Sequence, residues 1–147
     1  MSALRGIAGF NLRVLDLRMM KSFSEQLAGS DLTPAAAAVL LVVESNRGIP
    51  LGKLADALMV RHPNMTKLVK RLGAHSLVRR STAADDKRSV SLELTRGGRQ
   101  QAKKLRALQA KHDAFALAGL TSAERSQLMK FVARILAALD SAERKSR

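Results

Sequence analysis

The chain has 147 residues, 46% of them hydrophobic, and no cysteine; that is enough for one buried core and excludes disulfides, thiolate metal sites and thiol redox sensing. Its 26 Lys and Arg against 12 Asp and Glu give a formal charge of +14, and the excess is uneven: residues 1–50 carry 5 basic and 4 acidic residues, 51–104 carry 13 and 4, and 105–147 carry 8 and 4. A basic excess gathered in one segment is the footprint of a polyanion binder. With only four aromatic residues, all Phe, stacking on single-stranded bases is a poor option, and duplex phosphate fits better.

No apolar run approaches the roughly 20 residues of a membrane span. The opening MSALRGIAGF lacks the apolar core and cleavage pattern of a secretory leader. The expectation is a cytoplasmic protein with no membrane partner.

Residues 4–28 are predicted to be a long helix. Two apolar stripes run along it, Ile7, Phe10, Val14 and Leu17, and Leu12, Leu15, Met19, Phe23 and Leu27; burial on two sides predicts a partner as well as a core. Gly29-Ser30-Asp31 ends it. Thr33 then reads as an N-cap with Pro34 at the first helical position, opening an Ala-rich, nearly all-apolar helix to Val43. Asn46-Arg47-Gly48 stops that helix, and Ile49-Pro50 is at most a short edge strand.

Leu51, Leu54, Ala55 and Leu58 repeat at helical spacing, and so do Met65, Leu68, Val69 and Leu72 after Pro63. Opposite the second apolar face stand Asn64, Thr66, Lys67, Lys70 and Arg71. Two short helices joined by a tight turn, the second with a buried and a basic face, form a helix-turn-helix pattern, whose second helix suits the major groove. Residues 77–81 and 90–94 read as strands around a polar loop, TAADDKRS, and a hairpin placed there is a wing.

Thr95 can cap the next helix, about 96–118, with Ala102, Leu105, Leu108 and Phe115 inward. Gly97 and Gly98 soften its first turn and do not form a phosphate loop, because no strand, lysine and Ser/Thr surround them. Thr121-Ser122-Ala123-Glu124 is a capping box. It opens a last helix with Leu128, Phe131, Val132, Ile135, Leu136 and Leu139 on one stripe, and the charged tail SAERKSR is expected to fray. The first helix and the last two can pack into one helical layer.

Across residues 58–98 the chain resembles the MarR family of bacterial transcription regulators. The matching residues are Thr66-Lys67-Leu68-Val69, Arg71-Leu72, Ser76-Leu77-Val78, Arg80, Asp86-Lys87-Arg88 and Leu94-Thr95-Arg96-Gly97-Gly98, with Leu32-Thr33-Pro34 where that family starts its second helix. The resemblance implies a fold that is mainly α with a small β-hairpin wing, a winged helix-turn-helix plus a helical dimerisation layer. It would be a single domain over 1–147, with about 32–95 binding DNA and about 1–30 and 96–147 dimerising. It also implies a homodimer reading a pseudo-palindromic operator, mostly as a repressor released by a small, often aromatic or phenolic, effector. Carried over, Arg88 at the wing tip would enter the minor groove, and Asp86 would brace that arginine or the loop.

Three departures stand out. Ser76 occupies a position where the family often has Gly, one that follows a helix end and favours φ > 0. Gly73 should weaken the last turn of the second helix by about 1 kcal/mol relative to Ala. His62-Pro63 is an unusual start for that helix. By the same resemblance, the lack of Cys argues against the peroxide-sensing branch, and the lack of Trp removes a residue that some branches set against a ligand.

The expected DNA contacts are therefore Pro63, Asn64, Thr66, Lys67, Lys70, Arg71, Arg80, Asp86, Lys87 and Arg88. Lysines hold phosphate; Asn64 and Thr66 can read bases, Thr66 alternatively serving a phosphate or a local cap. A narrow minor groove favours Arg88, whose alternative is a surface pair with Asp85 or Asp86. Arg79 and Arg80 alternate across a strand, so one faces DNA and the other bridges to a carboxylate. Arg13 and Arg18 are the candidate effector contacts, against surface pairing such as Arg13 with Asp16. His62, His75 and His112 are scattered without ligand spacing, so no metal and no cofactor are expected. The methionines Met19, Met20, Met59 and Met65 read as core. No nucleophile–base pair, carboxylate pair or phosphate loop supports an enzyme. The competing function is a basic winged-helix protein that organises DNA or binds structured RNA without regulating a promoter.

Overall fold

The computed structural model describes residues 4, 6–83 and 86–145; the side chains of residues 82–90 and of Glu143 lie outside that description. Among the described residues, six helices and three strands follow in order: α1 (Ala8–Gln26), α2 (Pro34–Ser45), β1 (Ile49–Pro50), α3 (Leu51–Ala57), α4 (His62–Ala74), β2 (Val78–Ala83), β3 (Asp86–Leu94), α5 (Arg96–Ala116) and α6 (Ser122–Lys145). The chain divides into two compact units, Met1–Ala110 and Lys111–Arg147.

In the first unit α2 is the central element. Thr33 caps it, its hydroxyl accepting the Ala36 N–H at 3.2 Å, with Pro34 at the helix start. Ala36, Ala37, Val39, Leu40 and Val43 are all buried. Around them close Phe23 and Leu27 of the α1 end, Leu54 and Ala55 of α3, Met65, Val69 and Leu72 of α4, Val78, Leu92 and Leu94 of the strands, and Ala102 and Leu105 of α5. Leu40, Leu54, Met65, Leu72 and Leu92 are almost fully covered, so truncating any one to Ala should cost ~2–5 kcal/mol.

The sheet order is β1-β3-β2, both pairings antiparallel. β1 is the edge strand its proline predicts, pairing Ile49 with Leu92. β2 continues to Ala83 and β3 resumes at Asp86, with a register irregularity at Thr82/Ala83. The hairpin strands thus reach well into the polar stretch read as loop, because ladder bonds need no apolar alternation.

Each unit also carries uncovered apolar surface. In α1, Ile7, Phe10, Leu12, Leu15, Leu17 and Met20 are exposed while Phe23 is buried. Residues of both stripes are thus exposed, and only the C-terminal end of the helix, at Phe23 and Leu27, meets this chain's own core. In the second unit the capping box forms as predicted. The Thr121 N–H and hydroxyl donate to Glu124 Oε2 at 2.7 and 2.8 Å, and the Glu124 N–H returns to Thr121 Oγ1 at 3.3 Å. Leu128 and Val132 are half-buried, whereas Met129, Phe131, Ile135, Leu136 and Leu139 are exposed.

Three expectations need correction. Phe115, read as inward, is 72% exposed; it lies in the last turn of α5, within the second unit. Met20 and Met59, read as core, are exposed. The tail read as fraying is helical to Lys145: it holds no Gly or Pro, and Arg144 and Lys145 suit the negative end of a helix.

Candidate nucleic-acid interface

The two helices of the helix-turn-helix end in the same way. After α3, Val60 N–H bonds to Ala55 O at 2.9 Å and Met59 N–H to Asp56 O at 3.0 Å. After α4, Leu77 N–H bonds to Leu72 O and Ser76 N–H to Gly73 O, both at 2.9 Å. Each pair of bonds is a Schellman motif, whose fifth residue must take a left-handed backbone. Here those residues are Met59 (φ 52°) and Ser76 (φ 54°), neither of them glycine. Ser76 thus adopts the conformation its position predicts; the Met59 turn carried no such signal.

The start of α4 is built from His62-Pro63. Its N-cap, Arg61, offers no side-chain bond; its carbonyl accepts from Asn64 and Met65 N–H. The His62 ring lies against Gly52 at the start of α3, where an added Cβ would stand 3.2 Å from His62 Cε1. Among the described residues no cluster of His, Cys, Asp or Glu could hold a metal ion.

With Met65, Val69 and Leu72 buried, α4 presents Pro63, Asn64, Thr66, Lys67, Lys70 and Arg71 to solvent. The Thr66 hydroxyl donates back to His62 O at 3.0 Å, so its proton is engaged and its oxygen is left to act as an acceptor. Beside α4 a groove of about 450 Å³ runs to β2, lined by Lys70, Gly73, Arg79 and Arg80 among others. Arg79 is paired to Glu93 directly across the hairpin, whereas Arg80 makes no ion pair among the described residues. Asp86, Lys87 and Arg88 fall on β3, and their side chains lie outside the described residues.

The end of α4 is locked to the start of α5. The Thr95 hydroxyl donates to Ser76 O at 2.6 Å and accepts the Gly98 N–H at 3.0 Å, while Thr95 N–H donates to Leu77 O at 3.1 Å. Gly98 is needed there, since an added Cβ would fall 1.9 Å from Leu77 O. Sequence reading found the Thr95 cap and missed this close approach, which brings together residues distant along the chain.

Of the candidate effector contacts, Arg13 is paired with Asp16 at 2.9 Å on the exposed face of α1, and Arg18 is likewise exposed. A separate cavity of about 340 Å³ lies behind α4, its walls including Ser30, Asp31, Leu68, Arg71, His75 and Gln101. Among the described residues no helix is long and apolar enough to cross a membrane.

Comparison with known proteins supports this geometry. The MarR family profile matches residues 30–89. A protein of Thauera aromatica assigned to transcriptional regulation of the hcr operon is 27% identical over 134 residues, 90% of this chain and 81% of that one. The HTH-type transcriptional regulator TtmR of Methylorubrum extorquens is 32% identical over 109 residues, 74% of this chain and 55% of that one. Among solved structures, the transcriptional repressor CouR bound to a 23-mer DNA duplex superposes with a TM-score of 0.82 at 29% identity, covering 90% of this chain and 94% of CouR. A wing beside a solvent-facing basic helix, the matching profile and these relatives agree: the chain is a DNA-binding transcriptional regulator of the MarR type, built on a winged helix-turn-helix.

Proposed function

We propose that this protein is a homodimeric repressor that reads a pseudo-palindromic duplex operator and is released by a small molecule. The observation that carries the reading is the outward face of α4. Asn64, Thr66, Lys67, Lys70 and Arg71 stand opposite a buried Met65-Val69-Leu72 face, beside a hairpin that carries Arg80 and Arg88. On this reading Asn64 and Thr66 touch base edges, with Pro63 fixing the helix start against the backbone. Lys67, Lys70, Arg71 and Arg80 hold phosphate, and Arg88 enters the minor groove with Asp86 and Lys87 at the same tip.

The exposed apolar faces of α1 and α6 support the dimer, since a second copy would take both out of water. CouR, a repressor, supports the sign of regulation. The cavity behind α4 supports an effector: at about 340 Å³ it falls within the range of small-ligand sites. A ligand that engages Arg71 and His75 there would compete with DNA for Arg71. It acts only through its different affinity for the free and DNA-bound forms.

The test is competition by random duplex at physiological salt against the promoter fragment the protein protects. A preference of about 10³ or more is expected. Equal competition would leave only a DNA-organising role.

A further inference from the structure

Glu93 holds two arginines that arrive from different elements. Arg79 faces it across the β2–β3 ladder and donates through Nε at 3.2 Å and through a terminal nitrogen. Arg47, from the turn after α2, donates through Nε to the other carboxylate oxygen at 3.0 Å. The Glu93 side chain is only 14% exposed, whereas those of Arg47 and Arg79 are 81% and 61% exposed. Hydrogen bonds from Arg79 and then Arg47 keep the Glu93 carboxyl ionised by holding its pKa below the ordinary range.

Pairs with partners this exposed add little to stability, so another consequence deserves weight. Arg79 lines the same groove as Lys70 and Arg80, against the flank of α4. Left unpaired, it would be a third cation beside two expected to hold phosphate. Phosphate contacts raise affinity for every sequence alike and carry no sequence information. A carboxylate that engages Arg79 therefore lowers random-duplex binding and leaves the base contacts of α4 untouched, which is specificity obtained by removing an attraction.

We propose that Glu93 is a specificity-determining residue: it withholds Arg79 from DNA phosphate, so that Arg80 is the arginine β2 offers to the duplex. The proposal rests on the duplex-binding reading of the groove between α4 and β2.

The experiment uses the full chain and a labelled 30-base-pair duplex of random sequence, with binding measured between 50 and 200 mM salt. Glu93→Gln should bind more tightly at 50 mM and show a log–log salt slope steeper by about 0.9, the value of one added phosphate contact. Over that fourfold range this is an extra loss of about 3.5-fold. Arg79→Gln alone should leave the parental slope unchanged, and Arg79→Gln added to Glu93→Gln should restore it. A carboxylate that merely held the hairpin in shape would weaken binding in Glu93→Gln and would not be reversed by the second change.

The proposal is overturned if Glu93→Gln leaves the slope unaltered, or if Arg79→Gln alone reduces it by about 0.9, because Arg79 would then already touch phosphate. The second criterion stands even if Glu93→Gln fails to fold. Failure of the parent chain to bind the duplex at all would instead remove the interface reading itself.

Discussion

Gly97 and Gly98 are neighbours in the first turn of α5, yet adding one methyl group to each should have opposite effects. A Cβ at Gly98 would stand 1.9 Å from Leu77 O, while a Cβ at Gly97 would meet Ser76 O at an ordinary 3.6 Å. For Gly98→Ala to reach even 3.0 Å, Leu77 and the α5 start must part by about 1 Å, a small-to-large strain of ~1–3 kcal/mol. Leu77 cannot move alone, being held by Leu72 O through its N–H, by Thr95 N–H through its carbonyl, and by the Thr95–Ser76 bond beside it. Losing two of these contributes about 2 kcal/mol, against which alanine's helix preference returns up to about 1 kcal/mol. Gly98→Ala should therefore destabilise by about 2–4 kcal/mol, and Gly97→Ala should stabilise by about 0.5 kcal/mol. Urea unfolding followed by circular dichroism, at one chain concentration, measures both. If Gly98→Ala is as stable as the parent, the joint described between α4 and α5 is not rigid and the reasoning fails.

Four further outcomes are expected. Arg88→Ala should weaken operator binding without changing the oligomeric state; equal affinity by anisotropy would take the wing out of the mechanism. Phe131→Glu with Ile135→Glu on the exposed face of α6 should yield monomers by light scattering, as should deletion of 120–147 where the product stays soluble, and a tight-binding monomer would contradict the dimer. Met59→Gly and Ser76→Gly, which relieve left-handed backbone at non-glycine residues, should each stabilise by roughly 0.5–1 kcal/mol after the greater freedom of the unfolded glycine is deducted; a loss of stability at either would show that its side chain compensates the strain. Glu124 has its pKa lowered by bonds from Thr121, so its stabilising contribution is full above the ordinary carboxylate range and fades as pH falls through the lowered value. Glu124→Gln should flatten that part of the stability–pH curve, and an unchanged acid limb would assign it to other groups.

What was legible in the sequence was local. Thr33 before Pro34, Thr95 before α5 and the Thr121–Glu124 box each act within four residues, and each forms as read. The outward set on α4 follows from one 3.6-residue period. Ser76 revealed its backbone because it stands at a position of known demand. What escaped depends on distant partners: the Leu77 carbonyl that makes Gly98 necessary, and the arginine 46 residues away that shares Glu93. The sequence could place one of Arg79 and Arg80 on a carboxylate but could not say which. Met59 was hidden for a different reason, as a left-handed turn occupied by a long apolar residue has no compositional mark.

The Thr95 joint also bears on how the molecule breathes. The carbonyls of Ser76 and Leu77, just past α4, find their donors only after the hairpin has been traversed, since Thr95 reaches back 19 residues to Ser76 with its hydroxyl and to Leu77 with its N–H. That turn cannot open without releasing the base of β3, nor can β3 detach without exposing the Leu77 carbonyl. Amide hydrogens of Leu77, Thr95 and Gly98 should accordingly exchange with solvent at one common opening free energy, distinct from that of the α3–α4 turn. The end of α4 and the strand that carries the wing would then unfold as one cooperative unit.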